Sequence, residues 1–467
     1  MTVIPSVSLG DLTRLFGKIG MISFGGPAGQ IALMHEEIVD KHKWVPEEEY
    51  LQALNLCHLL PGPEAQQLAA WIGWRLHGTL GGLIAGLLFV LPGALVMLGL
   101  SALYVLAWEV SWLAGIFLGI KAAVLAIVAQ ALIRIAGRSL NTPAKQAISV
   151  LSFVLLFLFN APFPLVILGA GVIGALIARR SPELLSLPVR LERSREAVQP
   201  NSGVATLGQS PEVYPEHVEG LDTNASGVGI FAHILKTTAI WGSIWAAPMV
   251  LIYATLGPDH VLWDVGSFFS QLAIVTFGGA YAVLAYMAQE AVNGFAWLSA
   301  GEMADGLGLA ETTPGPLILV TQFTGFLAGF RSPAPFDAWT AGILAAALTT
   351  WVTFAPCFLW IFALAPAMDR LRSVIWLQGS LSTITAAVVG VIANLSLWFA
   401  LHVLFREVGE LHFGPARIYW PEWSSFDWRT LAIGAGAAVL LFWYKLNIIK
   451  MLAVAAVAGM ALNMLSA

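Results

Sequence analysis

Four short runs hold the residues best able to do chemistry in this sequence. Ser23-Phe24-Gly25-Gly26-Pro27 and Pro61-Gly62-Pro63 lie in the first half of the chain. Thr276-Phe277-Gly278-Gly279-Ala280 and Thr312-Thr313-Pro314-Gly315-Pro316 lie in the second. Glycine reaches backbone conformations closed to other residues, while proline removes an N–H donor and suits the first turn of a helix. Each run therefore predicts a helix that stops and restarts within an apolar stretch. The restarting end offers free N–H groups and about half a positive charge. Four such ends brought together would hold a dianion without permanent charges. Ser23, Thr276, Thr312 and Thr313 add hydroxyls at the same places. The alternative is that glycine and proline only kink packed helices. The expected binding set is Ser23, Gly25, Gly26, Pro61, Gly62, Lys121, Thr276, Gly278, Gly279, Thr313 and Gly315.

A few ionisable residues could join them. Lys121 is a cation in the middle of an apolar run; such a lysine either serves an anion site, meets a carboxylate partner or snorkels to the surface. Glu37 and Glu290 follow the Gly-Gly breaks and are the candidates for proton coupling, with an interfacial position as the other reading. Glu49 and Glu302 read as helix-start residues, because Ser299 and Glu302 have capping-box spacing and Pro46 suits a helix start. Arg75 and His77 fit an interfacial anchor or a vestibule. Asn55, His58, Gln66 and Gln67 could line a cavity or bond between helices. Glu64, directly after Pro63, would compete with an anion for the same helix end.

The elements that must position these residues are membrane helices. Of 467 residues, 58% are hydrophobic and 11% charged, and mean hydropathy is +0.78. Soluble domains carry about 25% charged residues. Apolar runs such as Gly81–Ala107, Trp112–Arg134, Ile240–Leu256 and Ile375–Leu401 reach the roughly 20 residues a spanning helix needs. They are continuous rather than alternating, which favours helices over a barrel. The expected fold is all-α and polytopic. A net charge of −5 gives no footprint for nucleic acid. Cys57 and Cys357 lack metal-ligand spacing, and no cofactor or metal is expected. No nucleophile, acid–base or metal cluster points to an enzyme. The N-terminus reads as lacking a signal peptide, since Asp11, Arg14 and Lys18 interrupt the stretch.

The two halves repeat each other. At an offset of 253 residues (277 minus 24), Phe24-Gly25-Gly26 meets Phe277-Gly278-Gly279, Glu37 meets Glu290, and Pro61-Gly62-Pro63 meets Pro314-Gly315-Pro316. Gly119–Val124 meets Thr383–Val388 at a slightly larger offset. The expected division is a repeat over 1–180, a polar linker over 181–232, and a linking span plus second repeat over 233–467. Five arginines in the linker region and three basic residues in an expected Arg134–Lys145 loop place both in the cytoplasm. The span at about Lys236–Leu256 supplies the odd crossing that inverts the second repeat.

At these motifs the chain resembles the chromate ion transporter superfamily in its long, two-domain form. The residues that carry the likeness are Ser23–Ala32, Leu59–Leu68, Phe277–Leu284 and Thr312–Pro316. The resemblance implies a bacterial inner-membrane protein, multi-pass, that exports chromate or a similar oxyanion and gives resistance to it. Sulfate is the near alternative, and an anion channel the other. Ala280 stands where the first half has Pro27, so the resemblance does not imply two equivalent sites. The bilayer is the expected surrounding, with room for a homodimer.

Overall fold

The computed structural model describes residues 7–24, 26–106, 111–187, 227–277, 280–368 and 374–466. Helices dominate: α1 (Leu9–Ile22), α2 (Gly26–His35), α3 (Glu47–Leu59), α4 (Glu64–Leu106), α5 (Ser111–Ser139), α6 (Pro143–Phe157) and α7 (Phe163–Arg180) make up the first half. The second comprises α8 (Gly227–Thr255), α9 (Val261–Val275), α10 (Ala280–Gln289), α11 (Ala300–Thr312), α12 (Val320–Arg331) and α13 (Ala338–Leu364). It ends with α14 (Ile375–Leu404), α15 (Trp428–Ala438) and α16 (Ile448–Ser466). Seven of the described helices are long and apolar enough to cross a membrane. Along α7, Leu165, Leu168, Val172 and Leu176 form an exposed stripe, an apolar face that only lipid suits. The chain is an all-α polytopic membrane protein. Among the described residues its sheet is one antiparallel pair, β1 (Val408–Phe413) with β2 (Ala416–Pro421).

Local chemistry sets the helix ends. Ser8, Thr142 and Asp337 accept hydrogen bonds from backbone N–H groups of the helices they precede. Ser299 and Glu302 form the expected capping box. Helix α5 runs on to Ser139, so Arg134 and Arg138 sit on its last turns rather than in the loop expected there, and Lys145 lies in the first turn of α6.

Each glycine-proline break is the tip of a helical hairpin whose two arms start and end together. Lys18 of α1 reaches Glu37 just beyond α2 at 3.1 Å. Glu49 at the start of α3 pairs with Arg75 near the end of the first arm of α4 at 3.0 Å. In the second half, Phe268 of α9 packs on Phe295 beyond α10, and Glu302 of α11 binds Arg331 of α12 through both carboxylate oxygens, at 2.5 and 3.1 Å. Helix α4 is itself two antiparallel arms, 64–76 and 79–106, because His77 and Gly78 leave helical geometry and Gly78 takes φ +59°. A Cβ on Gly73 would lie 2.1 Å from the carbonyl oxygen of Gly81, so only glycine lets the arms close.

The halves also interlock through their later helices. Helix α5 packs on α15 and α16 of the other half, while α14 packs on α6 and α7. Glycines set both contacts: a Cβ on Gly119 would fall 2.0 Å from Ala455 O, and one on Gly174 would fall 2.3 Å from Gly379 O. Divided within 188–226 and produced as two polypeptides, the halves are expected to co-purify from membranes. Gly119→Leu should abolish that recovery, because backbone rather than a movable side chain opposes the new atoms.

Candidate functional site

The four tips meet. Gly62 N–H donates to the Thr276 carbonyl at 2.8 Å, and Gly315 N–H donates to the Ser23 carbonyl, also at 2.8 Å. Ser23 and Thr276 occupy equivalent positions of the repeat, as do Gly62 and Gly315, so the two bonds are the same bond made twice with the halves exchanged. Both glycines have positive φ, +116° and +89°. The tips rest on small residues inside long helices. A Cβ on Gly93, at the middle of the arm 79–106, would lie 2.1 Å from Pro314 O, and one on Gly62 would lie 2.8 Å from Cys357 Sγ of α13. Pro92 and Pro356 precede these two contacts and stand at matching places.

Around this junction the expected residues divide. Ser23, Gly26, Pro61, Gly62, Thr276 and Gly315 come together, and Thr313 adjoins them at the end of α11. Gly25, Gly278 and Gly279 lie outside the described residues. Thr276 and Thr313 donate their hydroxyl protons to Leu272 O and Leu309 O of their own helices, and Thr312 likewise to Leu309 O. Ser23 Oγ is fully buried with no hydrogen-bond partner. Gln30 donates to Gly315 O at 2.5 Å and keeps Oε1 unpartnered, also buried. Gln67 donates to Pro61 O at 2.6 Å, and Oε1 of Gln67 and both amide atoms of Gln66 are buried without partners. Unpaired polar atoms at this depth cost several kcal/mol unless water or a ligand meets them.

A cavity of about 490 Å³ opens onto the first-half junction. Gly26 and Pro27, the N-terminal start of α2, form one wall, with His58 and Glu64 beside them. The opposite wall is one face of α5, where Gln130, Arg134 and Arg138 recur every fourth residue. Arg134, Gln130 and Lys445 also border an adjoining cavity that reaches Phe24. The arrangement combines a helix start with two guanidinium groups, which suits an oxyanion. The sequence pattern predicts a loop at Arg134 and Arg138, whereas both lie on the last turns of α5. Their i, i+4 spacing was the available signal.

At the equivalent place in the second half stand aromatic rings. Trp398 and His402 stand where Arg134 and Arg138 stand, with rings 4.4 Å apart, and Tyr419 of β2 packs on His402 at 5.9 Å. Phe163 stacks on Tyr286 at 5.1 Å. Arg417 donates to Asn160, which also bonds Gln289.

The remaining candidates lie away from the junction. Lys121 pairs with Asp305 at 3.1 Å, and Tyr104 donates to the same carboxylate at 2.8 Å. Asp305 is eight residues before Thr313 on α11, about 12 Å along the axis. Glu37 is buried between Lys18 and Lys41, each at 3.1 Å. Glu290 is half-buried, and the positions matching those two lysines hold Gln271 and Gly294. Neither glutamate walls the cavity. Both cysteines are buried, and no group of three or more His, Cys, Asp or Glu that could hold a metal occurs among the described residues.

Among the described residues, seven helices long and apolar enough to cross a bilayer, with helix breaks that meet at one junction, define a polytopic membrane protein. The chromate transporter family model matches residues 10–175 and 263–460, and the chain belongs to that family; it is a transporter, not an enzyme. A chromate transport protein of Pseudomonas aeruginosa is 29% identical over 97% of this chain and 92% of its own length. A probable chromate transport protein of Synechococcus elongatus is 26% identical over 94% and 97%. An uncharacterized transporter of Methanocaldococcus jannaschii is 25% identical over 83% of each. No solved structure matches.

Gly62→Val should abolish transport while the protein still inserts and remains monodisperse in detergent, since its added atoms meet Cys357 and Gln67 at the tip junction. Unimpaired transport by the variant would show that the junction is not needed. Lys121→Met should lower thermal stability by about 3 kcal/mol, the cost of leaving a buried carboxylate unpaired. Asp305→Asn in the same chain should restore the melting temperature. An anion role for Lys121 instead requires that weakened anion affinity persist in the double variant.

Proposed function

We propose that this protein moves chromate or a closely similar oxyanion out of the cytoplasm. The observation that carries the reading is the cavity lined together by Arg134, Arg138 and the first residues of α2. The names of the relatives supply chromate as the cargo; the cavity's chemistry suits any tetrahedral dianion.

The proposed architecture is two inverted halves, 1–180 and 233–467, with 181–232 as a cytoplasmic linker in an inner-membrane protein. Reciprocal tip bonding and the exchanged packing of α5 and α14 support the inversion. The arginine-rich cavity then faces the cytoplasm, in keeping with the basic residues on that side. The aromatic set Phe163, Tyr286, Trp398 and His402 closes the opposite path. One open and one closed route fits a carrier better than a channel. The membrane potential favours export by about 2.3 kcal/mol per charge per 100 mV, or about 4.6 kcal/mol for a dianion.

Inverted vesicles should accumulate radiolabelled chromate saturably, and faster when their interior is made positive. Arg134→Gln should raise the half-saturating concentration roughly tenfold or more, the worth of one charge-assisted hydrogen bond. Uptake that neither saturates nor responds to sulfate competition would favour a channel, and no chromate movement at all would end the proposal.

A further inference from the structure

Glu64 stands where the anion's own charge would go. It is the first residue of the arm 64–76, one position past Pro63, and its side chain is 9% exposed. Its Oε1 lies 3.4 Å from Nδ1 of His58, which ends α3 and faces the cavity. The counterpart of Glu64 is Leu317 and that of His58 is Glu311, so this pair belongs to the open half alone.

A carboxylate at a helix start already satisfies the positive field that an entering anion would use. A dianion placed in the same cavity meets it as a like charge, in surroundings where water screens poorly. One proton resolves the conflict. On His58 it makes an imidazolium that neutralises Glu64. Among the other charged groups lining the cavity, His35 is the one that could also take a proton, and its carboxylate partners lie outside the cavity lining. Arg134 and Arg138 of α5 remain cationic throughout. His35 of α2 already has Asp40 at 3.3 Å and Glu47 at 3.9 Å. Tyr50 of α3 donates its hydroxyl to Ile31 O, and Lys445 borders only the adjoining cavity. Glu37 and Glu290 sit at the far ends of their hairpins.

We infer that His58 and Glu64 form the site where proton and anion binding are linked, and that the linkage is positive: the protein takes up a proton as the anion enters. This inference rests on the oxyanion reading above. Linkage is reciprocal, so a proton bound at the pair must raise anion affinity by the factor that the anion raises proton affinity. The proton therefore accompanies the anion, so one net negative charge crosses and the membrane potential supplies half the drive that the bare dianion would receive. Exchange of one against the other, as in antiport, needs the opposite sign.

The test uses the purified full-length protein in weakly buffered detergent solution, with sulfate and chromate as separate probes. Sulfate keeps a constant charge between about pH 6 and pH 8, where histidine titrates, so its proton balance belongs to the protein. Expected are uptake of up to about one proton per sulfate bound, and affinity rising by up to about tenfold per unit fall in pH. Glu64→Gln combined with His58→Gln should remove both effects, and Glu64→Gln alone should bind more tightly than the unaltered protein at the alkaline end. Binding without proton uptake, or with proton release, overturns the inference while leaving the carrier reading intact. Persistence of both effects in the folded double variant, with His35→Gln abolishing them instead, overturns the assignment to this pair. Binding of neither anion at any pH overturns the carrier reading and this inference together.

Discussion

Two backbone hydrogen bonds hold this architecture at its centre: Gly62 N–H to Thr276 C=O, and Gly315 N–H to Ser23 C=O. Inside a bilayer an unpaired peptide group costs several kcal/mol, and a hairpin tip is by construction a place where the helical ladder has stopped. Four separate tips would leave four sets of orphan groups. Pairing them across the halves satisfies two carbonyls and two amides at once, and Pro63 and Pro316 bring no further N–H to satisfy. Positive φ at Gly62 and Gly315 turns each amide toward its partner. Small residues beneath them, Gly93 and Cys357, let the tips sink to the middle of the arm 79–106 and of α13.

From that junction the rest of the fold follows as support. Hairpins are stiff only if their open ends are fastened, and each is fastened by chemistry suited to its depth. Charged pairs serve where the ends near water: Lys18 with Glu37, Glu49 with Arg75, Glu302 with Arg331. Aromatic packing of Phe268 on Phe295 does the same for α9 and α10. The exchanged contacts of α5 and α14 then prevent the halves from separating, with glycines permitting backbone contact where apolar side chains alone would gain little over lipid.

Much of this was legible in the sequence because it rests on residue types with few uses. Gly-Pro clusters inside apolar runs announced the breaks, their recurrence announced two related halves, and Ser299 with Glu302 announced a cap. The missed features depend on partners far away in the chain. Nothing near Lys121 reveals Asp305, which lies 184 residues on (305 minus 121). The hydroxyls of Thr276 and Thr313 looked available because their capture by carbonyls one turn back depends on where each helix ends. Arg134 and Arg138 counted only as charge for orientation, since their cavity is made by α2, α3 and α16 as well as by α5. Whether the breaks were tips or mid-span kinks could not be read without the ion pairs that fasten the arms.

The scaffold is repeated but its chemistry is not. Gln30, Glu64, Gln67, Arg134 and Arg138 face Val283, Leu317, Val320, Trp398 and His402 at equivalent positions. Had both halves kept the polar set, two weak sites would divide one anion between them. With the polar set on one half and aromatic groups on the other, a single site remains, and the duplicate's value lies in its shape. On the proposed function, two halves that pack alike would trade conformations, and the aromatic packing around Trp398 and His402 would be the one the arginine-lined side adopts in turn. Reciprocal tip bonds suit such a trade. Exchanging the conformations of the halves leaves the pattern of those bonds unchanged, so the centre of the molecule can persist while access to it changes sides.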